Sequence, residues 1–436
     1  MRNSSRLVGA AAVLVLTVSG CGLGGGDAAQ PETSGGTPAG EVTGKITFQT
    51  LQLKPTFDDY INGVVADFEA ENPGTTVNWV DIPFEGAQER LVTDATAGTL
   101  PDVVNLNPNF AQPLEKEQLF LDLEKAAPDA QANYVPGAWD SFQIPGEAGS
   151  FGFPWYLTSE VTMYNKALFE QAGLDPASPP ATFQELWADA AQIATAGAGQ
   201  FYGLHPALEN KFITDLAKLG VPLLNEAGTE WTFNTPDAVA HVEKLTELYK
   251  AGIMPADSLT QGHDEEIQAY QAGRVALFPS GPNFLKIIKE NAPAIAEATG
   301  VGPQITGELA VANMSVMGLL VPKTSKNQAT AIAFAEFMTN ATNQLAFSKI
   351  VTVLPSVSDA LTDPYFTDDS DGTTESKARK ISAEQIASAV NQVPVQFDDR
   401  IKAVVIGKVQ LAMQGDLSAQ DALDQAVEEA NQITGA

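Results

Sequence analysis

Histidine, cysteine and paired carboxylates are the side chains from which metal sites and hydrolytic centres are usually built. This chain of 436 residues uses them without pattern. Its three histidines stand at 205, 241 and 263, with no ligand-like spacing, and its one cysteine is Cys21. A single cysteine makes no internal disulfide and no Cys-rich zinc site. There is no G-x-S-x-G, no H-E-x-x-H, no P-loop and no Cys-His arrangement. Fifty-four Asp and Glu leave room for a carboxylate pair of the glycosidase kind, but no motif singles one out. The sequence therefore points away from an enzyme, a metal centre or a cofactor. It points to side chains that grip by hydrogen bonding and ring stacking.

Those side chains need elements to hold them. Lys45–Gln49 alternates like a strand. Phe57, Tyr60, Ile61, Val64, Val65 and Phe68 recur at three- and four-residue steps, which predicts a helix over 56–72. Asn72-Pro73-Gly74 stops it. Thr76–Val80 reads as a strand, Glu85–Ala97 as a helix and Asp102–Leu106 as a third strand. This β-α-β-α-β order predicts an α/β fold with a largely parallel sheet. Ligands of such sheets lie beyond the carboxyl ends of the strands. Gln49–Leu53, Pro83–Glu85 and Asn107–Phe110 are therefore cleft candidates. Within them Gln49 ends a strand, Glu85 offers a carboxylate, and Asn107 and Asn109 offer amides. Turn chemistry accounts for the asparagines as well, and a helix first turn for Glu85.

Further along, Val161–Tyr164 reads as a strand. Thr182 with Glu185 forms a capping-box pattern for a helix to Ala196. Helices are expected at 211–219, 236–251, 265–272, 327–339, 341–350 and 418–433. Trp231, in a Gly-rich hairpin pattern over 225–234, is expected at the surface, as are His241 and His263.

Against 54 acids stand 24 Lys and Arg, a formal net charge of −30. Such a polyanion repels nucleic-acid phosphates, so no nucleic-acid partner is expected. The first residues read as an export signal. Arg2 and Arg6 precede an apolar run from Leu7 to Val18, too short to span a bilayer as a helix. The run ends at Val18-Ser19-Gly20-Cys21, which resembles the bacterial lipobox. In that class of signal the cysteine is acylated and becomes the new N-terminus. Residues 1–20 are thus expected to be a signal peptide, and 21–44 a lipidated cysteine and a Gly/Pro/Ser/Thr linker. The body would then work outside the cytoplasm, anchored to the cell membrane through lipid on Cys21.

Several ordered stretches resemble the extracellular solute-binding proteins of bacterial ABC importers, the carbohydrate-binding family that includes the maltose-binding protein. They are Asp67–Pro73, Ala97–Val104, Gly152-Phe153-Pro154, Met163–Leu174, Pro180–Phe183, Ala272–Leu277 with Gly281-Pro282-Asn283, Ala329–Thr339 and Val353-Leu354-Pro355. Of these, Tyr164-Asn165-Lys166-Ala167-Leu168-Phe169-Glu170-Gln171-Ala172-Gly173-Leu174 is the most specific. The resemblance implies a two-lobed, type II periplasmic-binding-protein-like fold with the ligand between lobes joined by crossing segments. It puts one lobe at 45–157 plus 310–355 and the other at 158–309 plus 356–436. It implies a monomer that closes on a sugar or oligosaccharide and delivers it to permease subunits. A polyol or glycerophosphoryl ligand is the alternative, and an extracellular glycosidase a remote one.

Sugars present hydroxyl edges and apolar ring faces, so their sites want neutral or acidic hydrogen-bonding groups and aromatic platforms. On the resemblance, Trp155 and Tyr156 near the first crossing are the expected platform, with core packing as the other reading. Asn283 and Phe284 match the position of an aromatic in maltose-type proteins, although Asn283 also suits a helix cap. His205 lies near a cleft contribution. Asn313 lies where the chain returns to the first lobe. Asp399 and Arg400 lie where a C-terminal helix meets the cleft, or else form a surface ion pair.

Overall fold

A computed structural model describes residues 40–143 and 149–435. Cys21 and the whole export signal lie outside the described residues. Among the described residues ten strands form two sheets. They are β1 Gly44–Leu51, β2 Thr75–Ile82, β3 Val103–Leu106, β4 Phe153–Ser159, β5 Val161–Asn165, β6 Tyr202–Leu204, β7 Val275–Ser280, β8 Thr299–Gly302, β9 Met314–Leu320 and β10 Leu354–Pro355. The first sheet has the order β10-β4-β9-β3-β1-β2, and the second β6-β7-β5-β8.

The predicted β-α-β-α-β unit is present. β1 runs parallel to both β2 and β3, with Phe48 level with Trp79 and Val103. The rest of the first sheet is antiparallel, because the chain leaves through β4 for the second sheet and comes back through β9. Both faces of this sheet are covered, which explains strands that are apolar on both sides. Val103 packs on one face with Ile46, Phe48, Phe68 and Phe334. Its neighbour Val104 packs on the other with Leu91, Leu106, Met314 and Leu320.

Helix ends follow local chemistry. The Ala87–Ala97 helix begins two residues later than expected, because Gly86 adopts a left-handed conformation (φ 74) and holds Pro83–Glu85 in the preceding turn. The Phe183–Gly197 helix has the expected capping box. The Thr182 hydroxyl accepts from the Glu185 N–H at 3.2 Å, and the Glu185 carboxylate accepts from the Thr182 N–H at 3.1 Å.

Two surface expectations are corrected, and for a third, His263, only the expected loop is. Trp231 is 1% exposed and packs on Phe233 and Phe397 in the second core, because the 418–433 helix, not solvent, covers the hairpin. The Asn431 side chain bonds both the N–H and the carbonyl of Trp231. His241 is buried on the Pro236–Lys250 helix among Phe183, Trp187 and Phe212. His263 opens the His263–Gln271 helix and bonds Glu266 and Ser280.

The stretch after β10 is shared between the two cores. Phe366, Ala383 and Ile386 pack under the first sheet, whereas Ala378 and Ile381 pack with Met163 and Phe278 of the second. Among the described residues no helix is long and apolar enough to cross a membrane.

Candidate functional site

At the carboxyl ends of β1 to β3, one acid organises the first loop. The Asp81 carboxylate accepts from the Thr50 hydroxyl, from the Leu53 N–H at 3.0 Å and from the Lys54 N–H at 3.1 Å. Trp79 Nε1 donates to the Thr50 hydroxyl at 2.9 Å. Lys54 Nζ sits 4.3 Å above the Trp79 ring, a cation–π contact. Beside this loop stands an aromatic pair. Phe84, 49% exposed in the turn after β2, tilts against Phe110 with ring centroids 4.9 Å apart. Asn107 places Phe110, because its side chain accepts from the Phe110 N–H at 2.8 Å and starts the Pro108–Glu115 helix. Asn109 donates to the Val395 carbonyl at 3.4 Å, tying this wall to the segment before the C-terminal helices. Glu85 is exposed in the same turn as Phe84. Gln49 is 2% exposed within the sheet, and its Nε2 has no partner among the described residues.

Where the chain crosses between the sheets, neutral amides do the tying. Gln385 Nε2 donates to the Ser159 hydroxyl at 2.9 Å and to the Glu160 carbonyl at 2.6 Å, and its Oε1 accepts from the Gln304 N–H at 3.1 Å. Gln304 bonds both backbone groups of Asn313. Asn313 Oδ1 in turn accepts from the Gln392 N–H at 2.9 Å. Asn313 is thus buried as a joint between crossing segments, and its acceptor oxygen is occupied.

On the second sheet's side, a polar stripe runs along one helix. Lys211, Asp215 and Lys218 recur along Leu208–Lys218, whose other face buries Phe212, Ile213 and Leu216. Lys218 pairs with Glu160 at 2.8 Å, and Lys211 pairs with Glu266. Burial opposes the charge on Glu160, yet Lys218 beside it holds its pKa below the usual carboxylate value. Burial pushes Asp215 up to about 7, with Lys218 pulling it back and Glu160 adding to the rise. Glu160, Lys211, Asp215, Lys218 and His205 line a pit of ≈ 40 Å³, room for roughly two to four waters. His205 Nδ1 accepts from the Ala207 N–H at 3.1 Å, which puts the proton of the neutral ring on Nε2. That buried Nε2 has no partner among the described residues, and burial lowers the pKa of the ring.

The aromatic platform expected at Trp155 is corrected. Its indole is wholly buried, stacked on Phe347 with centroids 5.4 Å apart and edge-on to Phe48 at 6.2 Å. β4 lies inside the first sheet, so this face meets the helix layer and not solvent. Tyr156 is half-buried, with a phenol that burial pushes up to about 12. Phe284 is half-buried against Phe278 and His263, whereas Asn283 before it is exposed and makes no cap bond. Asp399 and Arg400 are both exposed and do not pair with each other. Arg400 pairs with Asp398 at 2.7 Å and Asp399 with Lys402 at 3.0 Å, as their places in the first helical turn dictate.

Phe84, Phe110 and Asp215 escaped the reading of the sequence residue by residue. The two rings lie in loops that the strand order marks as cleft candidates, where amides and acids drew the choice. The 211–215–218 spacing was the available signal for Asp215.

Two sheets joined by crossing segments match known proteins. A solved structure named as an oligosaccharide periplasmic-binding protein, from Synechococcus sp. MITs9220, is 33% identical. It has a TM-score of 0.76, over 89% of this chain and 99% of that one. A protein of Brucella abortus (strain 2308) named as a binding protein is 30% identical over 58% of this chain and 61% of its own length. The chain therefore spans about three fifths of that relative. The mannitol-binding protein of Pseudomonas aeruginosa is 24% identical over 65% of this chain and 66% of its own length. The fold is the two-lobed type II form of periplasmic binding proteins. The family model for bacterial extracellular solute-binding proteins matches residues 54–345, and the chain belongs to that family.

Proposed function

We propose that this protein is held outside the cytoplasm by lipid on Cys21, captures a sugar or oligosaccharide between its lobes, and hands it to an ABC permease on closure. The lobes would be 45–157 with 310–355 and 158–309 with 356–436, with 356–390 packed on both cores as part of the joint. The observation that carries the reading is the chemistry at the strand ends. One wall has the half-exposed Phe84 leaning on Phe110, a surface for an apolar ring face. The other has the His205–Asp215 pit, a neutral donor and a carboxyl for hydroxyl groups. A ligand touching both walls would bind the closed form better and shift the population towards it. Glu85, Asn109, Tyr156 and Asn283 would add contacts, and Gln49 and Asn313 would support them from beneath. The names of the Synechococcus and Pseudomonas relatives agree with an oligosaccharide or polyol.

The test is thermal unfolding of the protein against mono- and oligosaccharides, polyols and glycerophosphodiesters. A ligand at a thousandfold over its Kd adds about 4 kcal/mol of stability. One sugar series should raise the midpoint and be recovered intact. Response to phosphorylated compounds alone would replace the sugar by a glycerophosphoryl ligand, and turnover of the sugar would make the protein a glycosidase. Anchoring is tested separately. Cys21→Ser should move the protein from the membrane fraction to the soluble one, and mass spectrometry of the wild type should show the acyl chains.

A further inference from the structure

A second cavity, of ≈ 20 Å³, lies where elements of both sheets meet. The end of β4, Asn283 after β7, Ser348 and Ser382 line it, with Tyr365 and Arg379. Arg379 is fixed in place. Its Nε donates to the Tyr365 carbonyl at 2.6 Å, and its guanidinium lies 4.0 Å from the centre of the Tyr365 ring. No carboxylate pairs with it among the described residues. Its charge reaches Asp371, whose carboxylate is held by Ser376 and Thr373. Lys349 adds a second positive charge 5.8 Å from the same ring, loosely paired with Asp363 at 3.9 Å.

Two hydroxyls in the cavity wall are also unused. Ser348 and Ser382 are each 1% exposed, and neither Oγ has a hydrogen-bond partner among the described residues. Buried hydroxyls without partners are costly, and a preorganised guanidinium with no carboxylate paired to it favours an anion. The volume admits one water-sized atom. We propose that this cavity is an anion subsite bridging the two lobes. It takes one small monoanionic group, either a free halide or one oxygen of a carboxylate carried by the solute. Two serine O–H groups and the Arg379 N–H groups donate, with the Asn283 amide at the rim. The carboxylate source rests on the solute-binding reading above, and the halide source does not.

The experiment measures thermal midpoints and calorimetric affinities for the wild type, Arg379→Met, Arg379→Lys and the Ser348→Ala/Ser382→Ala double variant. Chloride is exchanged for the bulkier methanesulfonate at constant ionic strength, and glucuronate is compared with glucose. The wild type should respond saturably to chloride over methanesulfonate, or to glucuronate over glucose. Arg379→Met should weaken that response tenfold or more, with Arg379→Lys between the two. Chloride acting alone identifies the free ion, and glucuronate acting alone identifies the solute's carboxylate. Should Arg379→Met fail to fold, the double serine variant supplies the same comparison. Equal responses of all variants to every anion would overturn the subsite. Glucose binding equally to all of them in that case would leave the sugar reading intact. A chloride response with no sugar binding would do the reverse.

Discussion

Asp215 and His241 titrate in opposite senses, and both are readable in the stability of the protein. Burial holds the Asp215 carboxyl at about 7, above its ordinary value. The folded chain therefore binds the extra proton between about pH 4 and 7, and the stability this gives is full below pH 4 and lost as pH rises to 7. Asp215→Asn should remove that fall, raising the thermal midpoint at pH 8 by about 2 °C relative to the wild type. His241 runs the other way. Burial pushes it down to about 4, so the unfolded chain binds the proton between about 6.5 and 4 and stability drops as pH falls through that window. His241→Leu should raise the midpoint more at pH 4.5 than at pH 7.5. A pH-independent effect of either substitution would show that the group does not titrate as its surroundings dictate. Phe84 belongs to the same scale. Being half-exposed, it should be replaceable by Ala with little change in the midpoint, while sugar affinity in calorimetry falls about tenfold.

Elements were legible in proportion to how local their causes are. The helix at Phe183–Gly197 follows from Thr182 and Glu185, two residues whose bonds to each other can be read from spacing alone. Thr182→Ala should cost about 1 kcal/mol in urea unfolding. The β1–β3 order was equally plain, because alternation and helical period are properties of short windows. The burial of Trp155, Trp231 and His241 was not plain. Each is set by a partner far along the chain: Phe347 for Trp155, Asn431 for Trp231, and the Phe183 and Trp187 rings for His241. Apolar rings look the same in sequence whether they face a ligand or a core, and so the strand ends were found while the ring that faces outward was not. Trp155→Ala should cost roughly 3–5 kcal/mol, the loss expected of a packed indole and not of an exposed platform. A cost below 1 kcal/mol would return Trp155 to the surface.

At the scale of the whole molecule, 30 net negative charges repel one another across the folded body. Raising salt to about 0.15 M shortens their reach to about 8 Å and should raise the thermal midpoint, most steeply below that concentration. The amide ties within the joint are exempt from this. They run through Gln304, Asn313, Gln385 and Gln392, none of which carries a charge or titrates. A body exported into a medium whose acidity it does not control would thus keep these amide ties unchanged, while the pit holding His205 and Asp215 changes its protonation with the surroundings. Acidity would then tune the grip on the cargo more than the amide ties on which the jaws swing.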